Sequence, residues 1–177
     1  MALDSNSSAG ANARLKPGTR IAAVVSTYHH DLTGAMLESA RDHLIDCGLD
    51  AADLIVVLAP GAFELPILAQ RLARRNDVHA VLCFGLVLKG ETEHDRHIAG
   101  AVAHGLTDVA LQTDTPVLFG LLTTNTLEQA QARARRAGEG GLDKGREVAR
   151  AAVAVLAGLT QIERLERGGR VRAEIKS

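Results

Sequence analysis

The sequence predicts an α/β protein, a three-layer α/β/α sandwich on a four-stranded parallel sheet. Two observations carry that expectation. Four short runs, residues 20–26, 54–58, 80–85 and 116–122, are near-continuous in Val, Ile, Leu and Ala instead of alternating with polar residues. That is the pattern of parallel strands covered on both faces. Segments with apolar residues three and four apart follow each run, and alternating strand and helix puts helices on both faces of one sheet. A third observation bears on what the sheet carries. Aromatic residues are only 2% of the chain (Tyr28, Phe63, Phe84, Phe119), so an aromatic at a special position is informative.

Residues 1–18 are rich in Ser, Ala, Gly and Asn and lack the apolar segment of a signal peptide, so a flexible tail is expected. The first strand leads into a helix at residues 32–47, with Met36, Leu37, Ala40, Leu44 and Ile45 on one stripe. The second strand is followed by a helix at 64–74. The third leads to a helix at 93–113 that aligns Ile98, Ala101, Val102, Gly105, Leu106 and Val109. After the fourth strand, Thr126 and Gln129 have the spacing of a capping box at the start of a helix at 126–136. A last helix, 143–159, turns Val148, Ala151, Ala152, Val155 and Leu159 inward. One folded domain over residues 19–160 is expected, with a charged tail at 161–177.

Bulk properties exclude several classes. A formal net charge of -1 leaves no basic field for nucleic acid. No apolar stretch approaches the ~20 residues that span a bilayer. Cys47 and Cys83 lie far apart in apolar runs and read as small core residues in a reducing, cytoplasmic setting. His94 and His97, one turn apart near Glu91 and Glu93, find no third and fourth ligand of convincing spacing, so no metal is expected.

In an open parallel sheet the ligand belongs at the carboxyl ends of the strands, here residues 27–33, 59–64, 86–94 and 119–125. Tyr28, Phe63 and Phe119 fall in these windows. Singly each would plug an end of the core; together they favour a site that stacks on a planar ring. At Lys89-Gly90-Glu91-Thr92-Glu93-His94 a glycine turn opens a helix, which gives backbone N–H donors and the positive end of a helix dipole for an anion. Thr92 adds a hydroxyl. His94, in the first turn, suits proton transfer because its ordinary pKa of ~6.5 lies near neutrality. Glu64 opens a helix beside the cleft and can accept from sugar or polyol hydroxyls. Arg133, Arg135 and Arg136 cluster near the end of the fourth helical pattern, either as a solvated helix end or as a phosphate clamp.

Four segments, in order over roughly residues 20–159, now identify a family by resemblance. They are Pro60-Gly61-Ala62-Phe63-Glu64-Leu65-Pro66, Gly90-Glu91-Thr92-Glu93-His94, Leu122-Thr123-Thr124-Asn125-Thr126-Leu127-Glu128-Gln129-Ala130 and Asp143-Lys144-Gly145. Each is moderately specific, the ordered set highly so, and the set resembles lumazine synthase. The resemblance implies a flavodoxin-like topology and a cofactor-free condensation of 5-amino-6-(D-ribitylamino)uracil with L-3,4-dihydroxybutan-2-one 4-phosphate. The product would be 6,7-dimethyl-8-ribityllumazine, an intermediate of riboflavin biosynthesis. It implies that Tyr28, Ala62, Phe63 and Phe119 contact the pyrimidine, that Glu64 faces the ribityl hydroxyls, and that Leu86, Val87 and Leu88 line the pocket by backbone. Glu91, Thr92 and Arg133 would hold phosphate, His94 would transfer the proton, and Lys144 would lie near the same site. Aligned backward from Lys144, Arg136 competes with Arg133; Arg133 is preferred because an insertion is better tolerated in a loop than in a helix.

The chain departs from the family pattern after His94, where Asp95-Arg96-His97 replaces an aromatic pair with charge. An alternative is a non-catalytic flavin- or lumazine-binding shell on the same fold, which would need neither a phosphate clamp nor the histidine. A flavodoxin-like carrier fits less well, because residues 27–33 are not a Ser/Thr/Gly-rich phosphate loop. The resemblance also implies a homopentamer with sites shared between neighbours, Phe119 and Arg133 reaching in from the next subunit. The long, glycine-rich stretch 136–143 favours a free pentamer or a pair of pentamers over a shell of twelve. An apolar face at residues 149–157 is expected to be available to a neighbour.

Overall fold

The apolar runs are strands, paired in parallel and sealed between helices, in the computed structural model, which describes residues 13–168. Their order along the chain is β1 (Ile21–Ser26), α1 (His30–Asp46), β2 (Leu54–Ala59), α2 (Leu65–Ala73), β3 (Ala80–Leu88), α3 (His94–Thr113), β4 (Val117–Thr124), α4 (Leu127–Ala134) and α5 (Lys144–Glu166). The four strands run β2-β1-β3-β4 across the sheet, every pairing parallel. This is the three-layer sandwich that the alternation predicts, with the flavodoxin-like topology that the resemblance implies.

The two central strands explain the near-continuous apolar runs. In β1, Ile21, Ala23 and Val25 face one layer, packed with Met36 and Leu44 of α1, Ala130 and Ala134 of α4, and Ala149 and Ala152 of α5. Ala22 and Val24 face the other, with Leu65 and Ala69 of α2 and Val102 and Leu106 of α3. β3 divides its side chains in the same way. Few aromatics mean small side chains and close backbones. An added Cβ at Gly120 would lie 2.6 Å from Phe84 and 2.7 Å from the Cys83 carbonyl.

The edge strands differ from the expectation. Val56 and Leu58 of β2 are 44% and 55% exposed, left uncovered by the described helices. β3 continues through Leu88 and β4 through Thr124, because the apolar character and the ladder persist beyond residues 85 and 122.

The helix ends also differ. Thr126 caps α4, accepting from the Gln129 N–H at 3.3 Å, but Gln129 returns its bond to the Asn125 N–H at 3.0 Å. The reciprocal box is thus displaced by one residue. α4 stops at Ala134, since Arg135 and Arg136 are extended. α5 runs on to Glu166, past the apolar stripe that suggested an end at residue 159. The face expected at 149–157 is split. Ala149, Ala152 and Val153 are buried within this chain, while Val155, Leu159, Ile162 and Leu165 form the outward stripe.

Of the expected tails, residues 1–12 and 169–177 lie outside the described residues. Leu15 is buried and donates its N–H to the Cys47 carbonyl at 2.9 Å.

Candidate functional site

Three strand-to-helix loops meet at the carboxyl ends of β1, β2 and β3, and hydrogen bonds lock them together. Thr27 donates its N–H to the Ala59 carbonyl at 2.8 Å and its hydroxyl to the Pro60 carbonyl at 3.2 Å, tying the first loop to the second. The buried Thr33 hydroxyl reaches back to the Ser26 carbonyl at 2.7 Å, and the Tyr28 N–H donates to Ser26 Oγ at 3.2 Å. His29 takes a left-handed φ of 53° and meets Tyr28 edge-on, ring centroids 4.4 Å apart. Tyr28 is therefore held out from the sheet, 56% exposed, where the bland alternative was a plug of the core.

The second loop turns at Ala62, whose carbonyl accepts from the Leu65 N–H at 3.2 Å, and α2 follows with Pro66 in its first turn. Glu64 precedes α2 without capping it by its side chain. Its carboxylate folds over Gly61, where an added Cβ would lie 3.0 Å from Oε2. Leu86, Val87 and Leu88 are the last three residues of β3, and the Lys89 N–H extends the ladder to the Thr124 carbonyl at 2.9 Å. At the start of α3 the His94 N–H donates to Thr92 Oγ1 at 3.4 Å. The Thr92 hydroxyl thus acts as an acceptor for the backbone as well as a candidate donor to an anion.

These loops enclose an open cleft of about 440 Å³. Tyr28, Ala62, Phe63, Glu64, Leu86, Val87, Leu88, Thr92 and His94 all line it, so nine of the residues singled out in the sequence converge. Asp95 and Ile98 line it as well. Asp95 stood out in the sequence only as a departure from the family pattern; its place one residue after His94, in the first turn of a helix, was the available signal.

The remaining candidates do not line this cleft. Glu91 is exposed in the turn before α3. Phe119 is the third residue of β4, paired with Cys83 well before the carboxyl end, and is 42% exposed on the sheet edge. The window that grouped it with Tyr28 and Phe63 assumed that β4 ends at residue 122. Arg133 projects from α4 with one guanidinium bond, to the Gln129 carbonyl at 3.0 Å; among the described residues no carboxylate lies within ion-pair range of it. Arg136 is occupied differently. It pairs with Asp42 of α1 at 2.7 Å, and that contact raises its already high pKa. Lys144 bonds Glu147 at 2.7 Å.

Arg133, Arg136 and Lys144 belong to one arm, the segment from α4 into α5. A buried carboxylate organises it. Asp143 accepts from the Ser39 hydroxyl, from the Arg146 N–H at 3.1 Å and from the Ala137 N–H at 3.4 Å, and so joins α1, the turn and α5. The glycine of Asp143-Lys144-Gly145 has a steric cause: an added Cβ there would lie 2.1 Å from the Met36 carbonyl oxygen.

A larger basin of about 510 Å³ lies at the opposite, amino ends of the strands, near Val78, His79, Thr115 and Pro116. None of the candidate residues lines it; those that converge do so in the smaller cleft. Both thiols are held protonated by burial, Cys83 far more strongly than Cys47. No set of three or more metal-ligating side chains occurs among the described residues, and no helix among them is long and apolar enough to cross a membrane.

Comparison with known proteins shows the family to which the chain is similar. The family described as 6,7-dimethyl-8-ribityllumazine synthase matches residues 18–159. A protein of that name from Thermus thermophilus is 43% identical over 147 residues, covering 83% of this chain and 92% of its own. The 6,7-dimethyl-8-ribityllumazine synthase 1 of Caulobacter vibrioides is 46% identical over 143 residues, covering 81% and 92%. The Salinibacter ruber protein is 40% identical over 146 residues, covering 82% and 92%.

Proposed function

The chain belongs to the 6,7-dimethyl-8-ribityllumazine synthase family and is a transferase, and we propose that it condenses 5-amino-6-(D-ribitylamino)uracil with L-3,4-dihydroxybutan-2-one 4-phosphate in the cytoplasm. The observation that carries this reading is the convergence of Tyr28, Phe63, Glu64, Thr92 and His94 on one cleft in a chain with only 2% aromatic residues. Tyr28 and Phe63 offer ring faces to a pyrimidine. The Glu64 carboxylate accepts from the ribityl hydroxyls. The ends of β3 offer Leu86–Leu88 backbone groups to the edge of the ring.

A primary amine of the pyrimidine attacks the ketone and loses water to give an imine. Loss of a neighbouring proton expels phosphate, and the second amine closes the ring with loss of a second water. The leaving group and the proton transfers are what the protein must serve. His94, beside the anion-binding start of α3, shuttles the proton, and Thr92 with the preceding turn holds the phosphate. Positioning does the rest, since both partners are reactive.

Phe119 and Arg133 serve the site of a neighbouring subunit, and the protein is a homopentamer, alone or paired. Their exposure, and the lack of a carboxylate partner for Arg133 among the described residues, support this assignment, as does the engagement of Arg136 by Asp42. The long turn between α4 and α5 supports free pentamers over a shell. Mixing purified protein with both substrates tests the activity: lumazine absorbance is expected to appear. Tight binding of the pyrimidine without turnover would contradict it and leave a binding protein. A mass near sixty subunits by light scattering would contradict the free pentamer.

A further inference from the structure

The cleft of a single copy is acidic where it is expected to receive an anion. Among the described residues its walls include two carboxylates, Glu64 and Asp95, and no lysine or arginine. Asp95 is the second residue of α3, half-buried, and lines the same cleft as Thr92 and His94. Its neighbour Arg96 does not neutralise it, because Arg96 pairs with Glu93 at 3.1 Å. Among the described residues no lysine or arginine lies within ion-pair distance of Asp95. The start of a helix favours negative charge, and here a carboxylate of the chain itself stands in the first turn and lines the cleft.

We propose that Asp95 is a specificity-determining residue of the reaction: its fixed negative charge holds the substrate phosphate loosely and speeds the departure of the phosphate product. This rests on the proposed role of the α3 start as the phosphate site. A unit charge a few ångströms from a phosphate dianion in water-like surroundings weakens its binding by about tenfold. Neutral ribityl hydroxyls feel no such repulsion and accept the carboxylate as a partner. Asp95 therefore tilts the cleft toward the polyol and against free phosphate, and sets a need for a cation from outside the cleft.

The test uses the full-length assembled protein, with inorganic phosphate as the probe. Asp95→Asn keeps the shape and removes the charge. It is expected to tighten inhibition by phosphate about tenfold and to lower the KM for the butanone phosphate by a similar factor. The KM for the pyrimidine should stay within about twofold, and the difference from the parent should shrink as salt rises. Asp95→Glu should behave as the parent, and Asp95→Ser supplies a second neutral variant should the amide disturb the helix start. Phosphate binding that is unchanged or weaker in both neutral variants overturns the proposal. So does an equal effect from Asp108→Asn, on α3 but outside the cleft. If the parent neither turns over nor binds phosphate, the enzymatic reading itself fails, and the Asp95 role with it. Normal turnover with an indifferent Asp95→Asn removes only the latter.

Discussion

The cleft and the arm that follows β4 are held by different means. Around the cleft, loops bind to loops and to strand ends: Thr27 to Ala59 and Pro60, Thr33 to Ser26, Lys89 to Thr124. In the arm, contacts run to α1 or stay local: Arg136 to Asp42, Asp143 to Ser39, Arg133 to its own helix. The cleft is thus preorganised within one copy, and Tyr28, Phe63, Glu64, Thr92 and His94 all line it. The arm is equally well anchored, but its arginine does not line that cleft. The contrast teaches that anchoring and completeness are separate properties. On the proposed reading the arm is rigid because it serves a site that another copy provides.

Glycine substitutions break the contrast most sharply. Gly145→Ala would press a methyl group against the Met36 carbonyl, a backbone atom that cannot swing away. A loss of about 3 kcal/mol in unfolding free energy by denaturant titration is expected, from overpacking of the α1–α5 seam. Gly61→Ala meets only the end of the Glu64 side chain. Its stability should change by less than about 1 kcal/mol, while the KM for the pyrimidine rises as the carboxylate is displaced. Equal losses at both positions would erase the distinction.

His94→Ala should lower single-turnover rates by on the order of 10²-fold with the fold intact. Unchanged kinetics would remove His94 from the mechanism. Arg133→Ala should raise the KM for the butanone phosphate about tenfold and leave the pyrimidine KM nearly unchanged. Arg136→Ala should do little to either, because Arg136 already has Asp42; the reverse pattern would move the clamp to Arg136.

The smallest effect concerns the α1–α5 seam. Burial, and then Arg146 and Arg150, depress the pKa of His43, whose Nδ1 has no hydrogen-bond partner among the described residues. The folded state therefore binds a proton less readily than the unfolded chain. Stability from this source is present above the ordinary histidine pKa of ~6.5 and falls as the pH drops below it. His43→Gln should flatten the acid limb of a stability–pH profile below about pH 6.5. A profile that stays as steep would assign the acid limb elsewhere.

The fold was legible because periodicity is local. Parallel central strands such as β1 and β3 must be apolar on both faces, and runs this short between helical patterns favour strands over buried helices. The cleft residues were legible because strand order alone puts a ligand at carboxyl ends. What escaped depended on contacts distant in sequence or on exact ends. The bond between Arg136 and Asp42 spans 94 positions, and no spacing rule announces it. Phe119 entered the wrong window because β4 holds its pairing through Thr124, and Thr123-Thr124 reads as a loop. The exposed face of β2 looked like core, since Val56 and Leu58 are as apolar as buried residues, and only the missing cover distinguishes them. Asp143 was visible only as part of a motif; its three donors come from separate elements.

The central claim is that one working site needs the cleft of one copy and Arg133 of another. Mixed oligomers test it most directly. His94→Ala and Arg133→Ala subunits, each crippled alone, are unfolded together in equal amounts, reassembled and assayed. If each site draws His94 from one subunit and Arg133 from its neighbour, random mixing leaves about a quarter of the sites with both groups intact. Activity recovering to about a quarter of the parent is the expected result. Activity no greater than the average of the two variants reassembled separately would place both residues in the same subunit's site and contradict the account.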